Sequence, residues 1–228
     1  MKAQSGNNKR TGDNKQKTVV TTQKPAGIPS KPSSEPVLKN RQKILNTALR
    51  LFTQYGVDAT PTARISREAG VSTGTLFHYF PDKGRLVAEV YVFVKKEIAS
   101  IARHDDDPSL PTRERIEKAV RVYVAWGIKN PLKVRFLNQC YNYPVIDREI
   151  QDQICNEFSW MTALFSSAAH EGLVPEIPFE FHTVMTHHIT NGILELIEYG
   201  DSGMSDEEII KNGLAMLWKI NNGFPTEE

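Results

Sequence analysis

Apolar residues begin to recur at helical spacing near Asn40 and continue almost to the end of the chain. Ile44, Leu45, Ala48, Leu51, Phe52 and Tyr55 fall on one stripe with a period of about 3.6 residues, the pattern of a helix with one buried face. Gly56 follows, a residue suited to the left-handed conformation that closes a helix. Thr60 and Pro61 read as the N-cap and first residue of a short helix that turns Ile65 and Ala69 inward and stops at Gly70. Ser72 caps a third helix reaching about Phe80. After Pro81, Asp82 caps a long helix to about His104 that carries Val87, Val90, Tyr91, Val94, Ile98 and Ile101.

Further along, the pattern predicts helices over Thr112–Asn130, Leu132–Asn142, Pro144 to about His170, and Phe179–Tyr199, the last ended by Gly200. Ser205 with Glu208 three residues on forms a capping box for a final helix. No segment sustains a period of two, so the expected fold class is all-α.

Charge divides the chain. Residues 1–38 hold a net charge of +5, residues 39–85 another +5, and residues 86–228 a net −9. Only the front of such a molecule suits a polyanion. Residues 1–36 are rich in Lys, Asn, Gln, Thr, Ser and Pro without periodicity, which predicts a disordered basic arm over 1–38. The remaining divisions are a DNA-binding domain over 39–85 and a larger helical domain over 86–228. No apolar run approaches the ~18 residues of a membrane span, and no secretory signal precedes the helices, so the expected location is the cytoplasm without a membrane partner. Cys140 and Cys155 make neither a disulfide framework nor a zinc motif, and they read as small hydrophobes in helices.

Three short helices, the second and third joined by a Gly-Val turn, suggest a helix-turn-helix whose third helix enters the DNA major groove. Ser72 and Thr73 are small at its start, and Gly74 leaves the backbone open to close approach. Leu76 and Phe80 face the core. Thr73, Phe77 and His78 then project outward, while Thr75, Tyr79 and Lys83 reach toward phosphates.

The run from Thr60 to Lys83, with Ile65, Ala69, Gly70, Val71, Ser72, Gly74, Leu76, Tyr79, Phe80 and Lys83 at matching places, resembles the signature of the TetR family. The resemblance covers about Asn40–Leu86. It implies a homodimeric repressor with an amino-terminal DNA-binding domain and a larger helical domain that dimerises and binds a small effector. By position it implies Thr60, Thr73, Thr75, His78, Tyr79 and Lys83 as DNA contacts. Two departures stand out. Phe77 replaces a frequent Tyr, exchanging a hydroxyl bond for an apolar contact with a thymine methyl. Gly84 and Arg85 replace acidic residues, so Arg85 adds positive charge where the long helix would face phosphate.

The larger part is rich in big, partly polar side chains. Trp126, Phe136, Tyr141, Phe158, Met161 and Phe165, with Tyr123 and Trp160, are candidates for an effector cavity. Asn138, Gln139, His187 and His188 would be its polar handles. The expected ligand is apolar or aromatic, cationic or neutral. His182, His187 and His188 are five and six residues apart, not the i,i+4 pair of a helical metal site, so no metal or cofactor is expected. Phe181, Met185, Ile189, Gly192 and Leu196 on one helix, and Ile210, Leu214 and Leu217 on the last, form apolar bands expected to build a four-helix dimer interface. No P-loop, Gly-x-Ser-x-Gly or His-Glu-x-x-His pattern occurs, so an enzyme is not expected and no residue is assigned a catalytic role. An architectural DNA-coating protein remains the rival reading.

Overall fold

The computed structural model describes residues 35–141 and 148–222, and these form ten α-helices with no strand among them. In chain order they are α1 (Glu35–Tyr55), α2 (Thr62–Ala69), α3 (Thr73–Tyr79), α4 (Lys83–His104), α5 (Thr112–Lys129), α6 (Pro131–Cys140), α7 (Arg148–Glu157), α8 (Ser159–His170), α9 (Phe179–Tyr199) and α10 (Asp206–Asn222). Local chemistry sets most of these ends. Gly56 follows α1 at φ +85° and Gly70 closes α2 at φ +68°, conformations in which a Cβ would be strained. The Asp82 carboxylate accepts the Arg85 backbone N–H at 2.7 Å and starts α4. Ser205 and Glu208 form the expected capping box, with the Ser205 N–H donating to the Glu208 carboxylate at 2.8 Å and the Glu208 N–H to Ser205 Oγ at 3.4 Å.

Two elements differ from expectation. Helix α1 starts five residues earlier, at Glu35, because Pro36 falls in the first turn, where a missing N–H leaves nothing unsatisfied. The rest of the expected arm, residues 1–34, lies outside the described residues. The single helix expected to reach His170 is two. Its expected start at Pro144 also lies outside the described residues, and α7 and α8 meet at Phe158 (φ −99°, ψ 14°). The break lets the two pieces serve different cores: α7 gives Ile150 to one, and α8 gives Leu164, Phe165 and Ala168 to the other.

The first core joins α1–α4 to parts of α5, α6 and α7. Phe52 of α1 stacks on Phe136 of α6 with ring centroids 6.1 Å apart and planes at 9°, and both are fully buried. Helix α1 therefore packs on α6 as well as on α2 and α4, and residue 85 falls inside the first turn of one continuous helix. The division at 85/86 is thus not a division of packing.

The second core is built from α5, α8, α9 and α10. Its helices approach closely through glycine. A Cβ on Gly213 of α10 would lie 2.4 Å from Ile193 Cδ1, and one on Gly127 of α5 would lie 2.7 Å from Leu194 Cδ1. No described helix is long and apolar enough to cross a membrane.

Candidate nucleic-acid interface

Helices α2 and α3 sit on the first core through Ile65, Ala69 and Leu76, with Phe80 buried just beyond. The turn between them is closed by Gly70 N–H to Arg67 O at 3.2 Å and Val71 N–H to Ser66 O at 3.0 Å. Ser72 Oγ then accepts the Thr75 N–H at 3.0 Å, satisfying an otherwise free donor at the start of α3. Burying Leu76 fixes the rotation of this short helix and turns Ser72, Thr73, Gly74, Phe77 and His78 outward. Phe77 is 41% exposed, a large apolar ring held in solvent by neighbours that are themselves anchored. Around Gly74 the nearest atom a Cβ would meet is Ser72 Oγ, at 3.8 Å. Nothing inside the protein calls for glycine there; an external surface pressed against α3 would.

The other expected contacts are tied into the protein to different degrees. Thr73 Oγ1 lies 3.2 Å from Ser66 Oγ, and Thr75 Oγ1 2.8 Å from Ser72 Oγ. The Tyr79 ring is half-buried against the core, with His78 edge-on to it at 5.4 Å. Lys83 Nζ donates to the Asp58 carbonyl at 3.0 Å, pinning the loop between α1 and α2 to the start of α4. Arg85 pairs with Glu89 at 3.0 Å and approaches Glu149 of α7 at 3.8 Å, so a phosphate would have to compete with these carboxylates.

Thr60 is a correction. It is fully buried, and its hydroxyl donates to the carbonyls of Gly56 at 2.7 Å and Leu51 at 3.3 Å. It neither caps α2, whose N-cap is Pro61, nor offers a surface to DNA. Behind this surface, Arg50 and Arg64 both bind Glu68, and their hydrogen bonds hold its carboxyl below the usual range.

The residues expected around an effector separate. Trp126 is buried in the first core and donates to Glu97 at 2.9 Å, and Phe136 is spent on Phe52. Gln139 faces solvent, as does Asn138. These three, Trp126, Phe136 and Gln139, are withdrawn, since core packing or exposure removes them from any shared pocket. Phe158 packs on the first core, while Met161 and Phe165 pack in the second. Phe165 borders a cavity of about 190 Å³ that Thr162, Phe179 and His182 also line. Tyr123 stacks on Trp126 at 5.9 Å, while Tyr141 meets His188 edge-on at 5.8 Å and stacks face-on against His187 at 4.4 Å. Sequence reading missed Lys95, whose position one turn beyond buried Tyr91 on α4 was the available signal. Among the described residues no group of three His, Cys, Asp or Glu side chains is placed to hold a metal ion. Cys140 is buried and Cys155 exposed, and neither is bonded.

The expected interface bands separate as well. Leu214 and Leu217 are buried in the second core of their own chain and cannot face a partner. Phe181 and Leu196 stay more than 40% exposed on α9, and Met185, Ile189, Gly192 and Ile210 are half-buried. Val184, Tyr199 and Met216 add exposed apolar surface to the same two-helix unit.

Known proteins place these features in a family. Residues 44–90 match the model described as "Bacterial regulatory proteins, tetR family". AcrR, an HTH-type transcriptional regulator of Shigella flexneri, is 36% identical over 81 residues, 33% of this chain and 38% of its own. YhgD, an uncharacterized HTH-type regulator of Bacillus subtilis, is 26% identical over 102 residues, 45% of this chain and 53% of its own. The chain thus spans about half or less of these relatives' length. A crystal structure of a tetR family transcription regulator from Shewanella sp. PV-4 extends the likeness, with a TM-score of 0.70 at 27% identity over 79% of this chain and 97% of that one. The signature thus lies in the helix-turn-helix, where residues 44–90 are those of a tetR-family DNA-binding segment, and the likeness of fold extends well beyond it.

Proposed function

We propose that the protein is a sequence-specific transcriptional repressor acting as a homodimer on a palindromic operator. The observation that carries this reading is the outer face of α3: Ser72, Thr73, Gly74, Phe77 and His78 stand out from a helix whose opposite side is anchored by Leu76. Thr73, Phe77 and His78 would meet base edges. Ser72, Thr75, Tyr79, Lys83 and Arg85 would bind phosphates, Arg85 by exchanging Glu149 or Glu89 for the DNA backbone. Two copies of α3 would enter successive major grooves ~34–36 Å apart.

Dimerisation would use the exposed apolar surface of α9 and α10 around Phe181, Met185, Ile189, Gly192, Leu196 and Ile210. Residues 39–85 would serve DNA, and residues 86–228 would serve dimer and effector. An effector in the larger part would release the operator through the core shared by α1, α4 and α6, with a coupling free energy of ~1–3 kcal/mol. The whole is a binding protein, not an enzyme.

Fluorescence anisotropy on a duplex from the gene's own upstream region, against a scrambled duplex, tests this reading. Preference for the native duplex of roughly a thousandfold or more is expected, within the range of specific over nonspecific binding. Equal binding to both would leave an architectural DNA-coating protein as the better reading.

A further inference from the structure

Helix α4 gives its buried face to the first core, and the charged residues next to Lys95 on it, Glu89, Lys96 and Glu97, are matched. Glu89 takes Arg41 and Arg85, Lys96 takes Glu157 at 3.0 Å, and Glu97 takes Lys133 at 2.6 Å together with the Trp126 N–H. Among the described residues no carboxylate pairs with Lys95 and no acceptor bonds it; its Nζ lies 5.6 Å from the centroid of the Tyr91 ring. The surrounding protein is dense enough to push its ammonium down to about 8 by burial, so at neutral pH the group is mostly charged. Yet Lys95 keeps part of its surface accessible. Lys95 is thus a half-buried cation that a ligand could still reach.

The ring pair that the Lys95 charge reaches suits a small organic molecule. Tyr141, at the end of α6, lies parallel to His187 of α9, with ring centroids 4.4 Å apart and planes at 9°. His188 stands edge-on to Tyr141 at 5.8 Å. Asn191 holds the His187 ring through its Nδ2 at 2.9 Å, and burial, the Lys95 charge and His188 together push His187 down to about 4. The imidazole is therefore neutral at pH 7 and leaves Lys95 as the cation of the group. Two buried atoms on the same stretch of α9, Thr186 Oγ1 and Asn191 Oδ1, have no hydrogen-bond partner. Native interiors rarely leave such groups unsatisfied, nor an ammonium unpaired, unless a ligand completes them.

We propose that Lys95, Tyr141 and His187 form a site for an organic carboxylate, its anionic end on Lys95 Nζ and its apolar or aromatic body along the Tyr141–His187 pair. A single ammonium balances a monoanion, whereas a doubly charged phosphate would leave one charge without a partner in a half-buried setting. This reverses the cationic or neutral ligand expected from the sequence, where the aromatic residues were visible and the lone cation was not. It rests on the reading of the larger part as an effector domain.

Titration calorimetry on the full chain with naphthoate and decanoate tests the site, against naphthalenemethanol and decanol as neutral matches and the corresponding ammonium compounds as cations. At least one acid should bind more than tenfold tighter than its alcohol, and the ammonium compounds should not bind. Lys95→Met should remove that advantage, and Lys95→Arg should restore most of it. Alcohols binding as well as acids, no binding by either acid, or acid binding unaffected by Lys95→Met would each overturn the proposal. Anisotropy with the operator duplex separates it from the repressor reading: acid that binds through Lys95 but leaves DNA binding unchanged keeps the site and removes the effector role. Release by the neutral compounds alone keeps the effector role and removes this site.

Discussion

The surface proposed for DNA and the recess proposed around Lys95 are built by opposite means. On the DNA side, the defining contacts are short in sequence. Ser72 holds Thr75, Asp82 holds the Arg85 N–H, and Thr60 reaches back to Gly56. In the recess the defining contacts join remote helices: Tyr141 meets His187, and Lys95 influences His187 from a different helix altogether. The first kind of site is a rigid local unit that presents side chains outward. The second exists only when several helices dock, and so can respond when that docking changes. The proposed regulator would need both, and α4, which carries Lys95, shares a core with α1, α2 and α3.

The sharpest way to break this comparison is to cut that shared core. Phe136→Ala removes the ring stacked on Phe52 and should cost ~3–5 kcal/mol, as other buried aromatic truncations do. Urea unfolding followed by circular dichroism should still show one transition, shifted to lower denaturant. Two resolved transitions would mean that the DNA-binding helices fold independently of the larger part.

A smaller effect should come from the recess. The Lys95 ammonium has a folded-state pKa of about 8 against an ordinary value of 10.5, so between these limits the unfolded chain binds more protons and stability rises with pH. The gain between pH 8 and 10 should be about 1–3 kcal/mol after discounting for partial exposure, and it should vanish in Lys95→Met. Over the same range the buried Cys140 thiol, and above about pH 10 the Tyr91 and Tyr123 hydroxyls, all pushed up by burial, act in the opposite direction. Melting curves of the protein and of Lys95→Met across this range check the sign; a difference between the two that stays flat or falls with pH would contradict an ammonium without a counter-ion.

The smallest effect belongs to the local site. Ser72→Ala removes the α3 cap and should cost ~1 kcal/mol in thermal stability, with the rest of the fold intact. Losing far more would show that α3 depends on remote contacts as the recess does.

How much was legible follows from the same distinction. The capping box at Ser205, the turn at Gly70 and the inward Ile65, Ala69 and Leu76 could be read because each depends on neighbours within a turn or two. Thr60 misled because a threonine before a proline looks like a cap, whereas its hydroxyl is used on the end of α1. Trp126, Phe136, Leu214 and Leu217 misled for a different reason. An apolar stripe says that a face is buried but not against what, and these four are covered by their own chain.

The sequence by itself determined the helical class, most helix ends, and the helix-turn-helix with its outward face, since backbone capping and amphipathic period are properties of consecutive residues. Tertiary structure alone decided that α1 shares a core with α6, that the long helix before His170 is broken at Phe158, and that Lys95 is half-buried without a counter-ion among the described residues. These depend on which apolar faces meet and on what charge is left when they do, and no local pattern carries that information.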